Sequence, residues 1–328
     1  MERPACAVCG GTETDPFYAC AEPNRMTDEV FQMVRCRACG LVFVSPRPDL
    51  SEQDRYYFRE YYKKPSPRLE QPVGLLSGLF DLYRTGKIAR GKASGRVLDV
   101  GCGEGGFLAA MQRRGWEAWG VETSTAGSAL SAQRPGLKVF NKPLPACGLP
   151  EAHFDVITLW HSIEHITQPG AYLKEACRLL KDDGLLFLGF PNIDSLEFRL
   201  SKGDWFHLDL PRHITHFSPR TMERLLESCG LRAERVSHFS WEYNLFGALQ
   251  SALNGLTREK NHLYRTLKGF KPAGPKATFA EGWDLAVLLL AGPPLAAGAA
   301  LFSLVTGLAG KAGCVELYAR KRADGSKR

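Results

Sequence analysis

The chain has 328 residues, 44% of them hydrophobic, enough to bury a full core and more than one domain. Its ten cysteines follow an N-terminus, Met1-Glu2-Arg3-Pro4, without the apolar stretch of a signal peptide, which argues against a disulfide framework and for a reducing cytoplasm. A net charge of +7 suits an anionic partner, either nucleic acid or a membrane, and the placement of that charge decides between them.

Two C-x-x-C-G knuckles come first, Cys6-Ala7-Val8-Cys9-Gly10 and Cys36-Arg37-Ala38-Cys39-Gly40. Each turns tightly enough for two thiolates to hold one ion, so Cys6, Cys9, Cys36 and Cys39 predict a four-cysteine structural zinc ribbon. A redox pair is the alternative. Phe31–Arg35 and Leu41–Val44 read as strands flanking the second knuckle. No dense basic stripe interleaved with aromatics accompanies the ribbon, which speaks against RNA or DNA as partner. The following stretch, with Tyr56, Tyr57, Phe58, Tyr61 and Tyr62, reads as an aromatic-rich helix packing the ribbon on the next domain.

The most informative run is Val97-Leu98-Asp99-Val100-Gly101-Cys102-Gly103-Glu104-Gly105-Gly106, an apolar strand turning through glycines into a helix from Phe107 to Arg114. Glycines let the backbone approach a ligand, and the helix start offers unpaired N–H groups. Gly101, Gly103 and Gly106 also satisfy the dinucleotide pattern G-x-G-x-x-G. Asp99 separates the readings. A pyrophosphate gains nothing from a carboxylate there, whereas the ammonium and sulfonium of S-adenosylmethionine are attracted to one. Trp116–Glu122 reads as a second strand ending in an acid, with Glu122 placed to accept from ribose hydroxyls.

Together with the strand Phe154–Leu159, the segment Ile163-Glu164-His165, and Leu179–Gly184 leading to Gly189-Phe190-Pro191-Asn192, these residues resemble the class I S-adenosylmethionine-dependent methyltransferases from about Arg96 to Arg322. The resemblance implies an α/β, Rossmann-like, mostly parallel seven-stranded sheet. It implies that Asp99, Gly101, Cys102 and Gly103 line the methionine end, that Glu122 holds the ribose, and that Leu144 and Trp160 complete the cofactor site. The acid that often follows the third strand in the family is missing from Asn141–Pro145. The ribbon followed by a Tyr-rich stretch resembles a bacterial subgroup of surface-glycan and secondary-metabolite pathways. The domains are read as 1–50 zinc ribbon, 51–95 helical linker or cap, 96–240 methyltransferase domain, 241–312 apolar helical insertion, and 313–328 last strand and basic tail.

Trp160–His165 follows the strand whose end should face the reacting methyl group. For a hydroxyl acceptor, His161 and His165 are candidate bases. At helical spacing His161, Glu164 and His165 would share one face and could take a divalent ion; alternatively Glu164 and His165 only shape the pocket floor. The stretch Trp205–Ser218 resembles the family's L-D-x-P-R-H-x-x-H-F segment over the acceptor pocket, with His213 near the acceptor oxygen and Arg212 paired to an acid. Ser218-Pro219 opens a helix over 219–229.

Leu285 to Gly310 carries no charge and is long enough to cross a bilayer as a helix. Cys314–Arg320 nonetheless reads as the last strand of the sheet, so a one-way crossing would strand it on the wrong side. Pro293-Pro294 breaks the segment, which predicts a re-entrant or interfacial hairpin with both ends cytoplasmic. Basic clusters between Arg258 and Lys276 and in the tail from Arg320 flank it, as an anionic leaflet would favour. The expectation is a cytoplasmic, peripheral or monotopic methyltransferase that uses S-adenosylmethionine on a hydroxyl of a lipid-linked glycan or amphipathic metabolite. A soluble enzyme with the insertion as a dimer interface, an RNA methyltransferase and a non-catalytic cofactor-binding subunit remain as alternatives.

Overall fold

The computed structural model describes residues 1–22, 29–49, 52, 54–56, 67–89, 92–269 and 277–322. Tyr57, Phe58, Tyr61 and Tyr62 of the aromatic stretch lie outside them, as do Lys271 and Lys276. Eleven strands run through the described residues: β1 (Thr14–Ala21), β2 (Val30–Cys36), β3 (Val42–Val44), β4 (Arg96–Val100), β5 (Glu117–Val121), β6 (Lys138–Phe140), β7 (Phe154–Trp160), β8 (Leu180–Pro191), β9 (Thr215–His216), β10 (Leu231–Ser237) and β11 (Cys314–Lys321). They belong to two compact units. One comprises Met1–Val73, Pro191–Ser218 and Ser237–Val315, and the other Gly74–Phe190, Pro219–Val236 and Glu316–Arg328.

The second unit is built on a seven-stranded sheet of order β10-β11-β8-β7-β4-β5-β6. The pairings of β4 with β5 and β7, of β5 with β6 and of β7 with β8 are parallel, which is the expected Rossmann-like arrangement. Strands buried on both faces are continuously apolar, as β7 is from Val156 to Trp160 apart from Thr158. Val97, Leu108, Met111, Trp116, Val156 and Phe187 form the core between sheet and helices. The last strand joins between β10 and β8, as Cys314–Arg320 predicts.

In the first unit the ribbon strands make a sheet of order β1-β2-β3-β9, whose fourth strand comes from the Trp205–Ser218 stretch. Val42 stands opposite His216 and Phe43 opposite Thr215, while Val44 N–H donates to Ile214 O at 2.9 Å. Residues 191–218, read from the sequence within 96–240, therefore pack with the ribbon. Phe31, Met33, Val42, Val44, Phe198, Trp205, Leu208 and Leu210 share one core. Arg212 is buried and ties this loop down. Its Nε donates to Asp209 Oδ2 at 3.0 Å, it approaches Glu22 at 3.5 Å, and its NH1 donates to Tyr56 O at 3.2 Å. The expected pairing of Arg212 with an acid is thus present.

One local reading needs correction. Ile163–His165 is a single tight turn rather than a helix, because His161 enters it with φ +47° and its N–H stays in register with Gly189 O at 2.9 Å. Strand β8 starts at Leu180, beside Phe154, so Lys181–Gly184 is extended backbone. The apolar stretch is two helices, Ala277–Leu290 and Gly292–Leu308, broken beside Pro293-Pro294 as read from the sequence, with both prolines inside the first turn of the second, where a missing N–H costs nothing. Strand β1 carries no clear alternation and was not predicted.

Removing a partner from a buried ion pair leaves an uncompensated charge. Arg212→Ala is therefore expected to lower unfolding free energy by about 3 kcal/mol in urea denaturation, with Leu200→Ala, at an exposed position, close to neutral.

Candidate active site

The carboxyl ends of β4, β5 and β7 converge on the Gly101–Gly105 turn, the expected ligand-facing edge of an open parallel sheet. The register sets Asp99 beside Gly120 on β5 and Thr158 on β7. Asp99 is buried, and Thr158 Oγ1 donates to its Oδ1 at 2.7 Å. Burial lifts the Asp99 carboxyl to about 7 even though the Thr158 hydrogen bond and the Arg84 charge pull it down.

The turn is made by left-handed glycines. Gly101 has φ +81°, and a Cβ there would meet Ser162 Cβ at 2.6 Å. Gly103 has φ +52°, and a Cβ there would project into open space, a cradle that a ligand can fill. Cys102 turns its sulfur toward Gly120, where a Cβ would meet it at 2.6 Å, and burial pushes its thiol up. Glu122 accepts from the backbone N–H of Gly103 at 2.9 Å and of Ser124 at 2.7 Å, and Asn141 Nδ2 donates to its carbonyl at 2.7 Å. Its carboxyl is nonetheless raised by burial. A carboxylate offers about four acceptor positions, so these two bonds leave capacity for hydroxyl donors.

Trp160 and Leu144 are buried. The Trp160 ring packs on Phe187 at 4.0 Å and edge-on to Phe107 at 5.8 Å, with the Arg84 guanidinium 5.2 Å from its centroid. Its indole N–H has no hydrogen-bond partner among the described residues. Beyond it, His161 Nδ1 lies 3.3 Å from the buried Glu164 Oε1. His161, Glu164 and His165 do not gather their donor atoms within 4.8 Å as a trio, because the left-handed His161 takes the place of a helical turn. The expected three-ligand set for a divalent ion is therefore not formed by them.

His213 belongs to the ribbon unit. It is buried, its Nδ1 is 2.8 Å from His207 O, and its Nε2 is 3.9 Å from Asp209 Oδ2. In the same unit the four knuckle sulfurs all lie within 4.8 Å of one another, Cys6 to Cys39 at 3.4 Å and Cys9 to Cys36 at 3.5 Å. Zn–S bonds of about 2.3 Å in a tetrahedron put sulfurs roughly 3.8 Å apart, so the set fits zinc. Gly10 and Gly40, at φ +73° and +82°, close the knuckles by donating to Cys6 O and Cys36 O. Burial alone would raise the Cys36 thiol, but backbone N–H groups of Cys39 and Ala38 and the Cys9 thiol bring it to about 7.

Sequence reasoning missed Thr158, Ser162, Arg84 and Asp81. Thr158 left a signal, a lone hydroxyl in an apolar buried strand. Ser162 donates to Val100 O at 2.8 Å and backs Gly101. Asp81, whose carboxylate stands where a Cβ on Gly106 would be, and Arg84 come from the helix Pro67–Ile88, which no motif marks. The left-handed backbone and the Ser162 contact together predict that Gly101→Ala destabilises the protein by more than about 1 kcal/mol. Gly103→Ala, with space for its methyl, should cost less in the same denaturation series.

A methyltransferase domain family model matches residues 79–236. The ubiquinone biosynthesis O-methyltransferase of Maricaulis maris is 32% identical over 130 residues, covering 37% of this chain and 51% of the relative. That of Xanthomonas euvesicatoria is 28% identical over 162 residues, covering 46% of this chain and 68% of the relative. The chain spans about half the length of the curated relatives it matches, 51%, 48% and 56% of the first three. An S-adenosylmethionine-dependent methyltransferase structure from Archaeoglobus fulgidus has 18% identity and a TM-score of 0.47, covering 75% of this chain and 94% of that one. One from Mesorhizobium loti has 16% identity and a TM-score of 0.42, covering 70% and 92%. Residues 79–236, which carry the glycine turn and strands β4 to β8, thus match a methyltransferase domain.

Proposed function

We propose that the protein transfers a methyl group from S-adenosylmethionine to a hydroxyl of an amphipathic or lipid-linked acceptor at the cytoplasmic face of a membrane. The observation that carries the cofactor half is Asp99, a desolvated carboxylate beside an open glycine cradle, which suits a cation and not a pyrophosphate. The relatives named as O-methyltransferases support oxygen as the acceptor atom. The lipid-linked class is supported by the apolar helix pair and its basic flanks.

The bound cofactor supplies an already activated methyl group, so the protein's task is placement and proton removal. Asp99 attracts the ammonium end, the backbone at Gly101–Gly103 gives close approach, and Glu122 accepts from the ribose hydroxyls. Leu144 and Trp160 wall the site. His161, oriented through Nδ1 by Glu164, takes the acceptor hydroxyl proton as the oxygen gains the methyl; His165 lies in the same turn. His213 sits on the loop held by the ribbon sheet. Cys6, Cys9, Cys36 and Cys39 hold a structural zinc whose four thiolates leave no open position, so its contribution is to fix β2, β3 and thereby β9.

The Asp99 carboxyl binds its proton more tightly in the folded protein than in the unfolded chain. Stability of the cofactor-free protein should therefore fall as pH rises from about 4 to about 7 and level off above. Cofactor affinity should move the opposite way, rising through about pH 7 as Asp99 ionises. Calorimetric titration of Asp99→Asn should show no such rise and a loss of at least about tenfold near pH 8. A steep rise retained in Asp99→Asn would remove Asp99 from the cofactor site.

Elemental analysis should find about one zinc per chain. Cys39→Ser should lose it, with thermal unfolding shifted down. Methyl transfer itself is tested by incubating membranes of the native host with labelled cofactor and protein. Label in an extractable lipid-linked product supports the acceptor class, and label confined to water-soluble products or RNA overturns it.

A further inference from the structure

Within the helices Ala277–Leu290 and Gly292–Leu308, the segments Gly282–Leu290 and Gly292–Leu308 are bent by 57° at their junction, and neither helix alone is long and apolar enough to cross a membrane. Each has one face fastened to its own unit. On the first, the fully buried Asp284 accepts from the backbone N–H of Arg258 at 2.8 Å and of Glu259 at 3.0 Å, and Trp283 Nε1 donates to Leu256 O at 3.0 Å. On the second, Ala299, Thr306 and Gly307 are buried, and a Cβ on Gly307 would stand 2.8 Å from the Phe239 ring. The chain then returns at once, with Asn192 N–H donating to Gly313 O at 2.7 Å and Cys314 N–H to Asn244 Oδ1 at 2.7 Å.

These attachments leave a defined outer face. Leu290 is 79% exposed, Leu308 73%, Leu289 66% and Leu301 63%, and Leu285, Leu304 and Val305 join them. On the second helix Leu301, Leu304, Val305 and Leu308 stand at i, i+3, i+4 and i+7 and so share one exposed apolar stripe, the kind of surface that marks an interaction site. The polar boundary of the pair is basic. Arg258 places its guanidinium 5.8 Å from the Trp283 ring, and Lys260, Arg265 and Lys268 follow; with Lys260 paired to Asp204 at 3.1 Å and Arg265 to Glu259 at 3.5 Å, the segment keeps a net positive charge. A second protein would be drawn to the leucines alone; an anionic bilayer matches the leucines and the cations together.

We infer that this face docks in the plane of an anionic leaflet, with Leu285, Leu289, Leu290, Leu301 and Leu308 entering the acyl boundary and the helix pair lying along the surface instead of crossing. Crossing would pull Asp284 off the Arg258 and Glu259 amides and leave a bare carboxylate in hydrocarbon. In-plane docking of about 5–10 Å depth keeps every one of these bonds. The inference deepens the membrane-face part of the proposed function and is independent of methyl transfer.

The test is sedimentation of the full chain with vesicles of phosphatidylcholine alone or mixed with phosphatidylglycerol, with cofactor binding measured on the same samples. Binding should need the anionic lipid, weaken with salt, and fall by at least about tenfold in Leu289→Glu/Leu290→Glu. Leu200→Glu, at an exposed leucine on another helix, Leu196–Ser201, should bind as the parent does. No binding to either vesicle, or binding unchanged in the double variant, overturns the inference. So does a vesicle-indifferent dimer that the same double variant dissociates, since the face then covers a second copy. Vesicle binding without cofactor binding would leave the docking face standing and sink the methyltransferase reading instead.

Discussion

Moving a carboxylate out of water costs several kcal/mol unless a charge or hydrogen bonds meet it, and Asp99 has been moved almost completely. Thr158 supplies one hydrogen bond and Arg84 a nearby charge, and the group still holds its proton to about pH 7. The sheet places it there through ordinary parallel register, between Gly120 and Thr158. The glycine turn directly above gives the open space in which a cation can relieve that cost. Much of the site follows from this one debt: the left-handed backbone, the Ser162 support and the acid at the end of the neighbouring strand.

The parts of this arrangement that lie within one strand-turn-helix were readable from the residues. Asp99, Gly101, Gly103 and Glu122 fall within a short span whose spacing the backbone geometry dictates, and the last strand betrayed itself as an apolar run after a long detour. The clustering of the four cysteines was equally legible because each knuckle sets two thiols close together in sequence. Asp81 and Arg84 were not, since a helix reaches the turn from a distance that sequence periodicity does not encode. The tight turn at Ile163–His165 was misread for a related reason. Three polar residues at helical spacing fit a helix face, but a left-handed His161 and a Pro169 helix start decided otherwise.

The loop Trp205–Ser218 illustrates a different limit. Its histidines, aspartate and arginine announced a functional stretch, yet nothing in the order of residues revealed that Thr215 and His216 would add a strand to the ribbon. The pairing fastens this polar loop to the ribbon sheet. Arg212 binds Asp209 and Glu22, and the apolar Leu208, Leu210 and Trp205 sink into the ribbon's core. The ribbon thus acts as a clamp on the segment carrying His213.

The sheet order also bears on how the protein is made. Strand β10 reaches the sheet only through β11, although its residues are synthesised well before it. Until residues 314–321 leave the ribosome, β8 presents an unpaired edge and β10 has no partner. An apolar helix pair is made in that interval. The nascent domain therefore passes through a stage with both an open strand edge and exposed leucines, the two features that invite aggregation. Early capture of the helix pair by a lipid surface would shelter one of them while the other waits for the final strand.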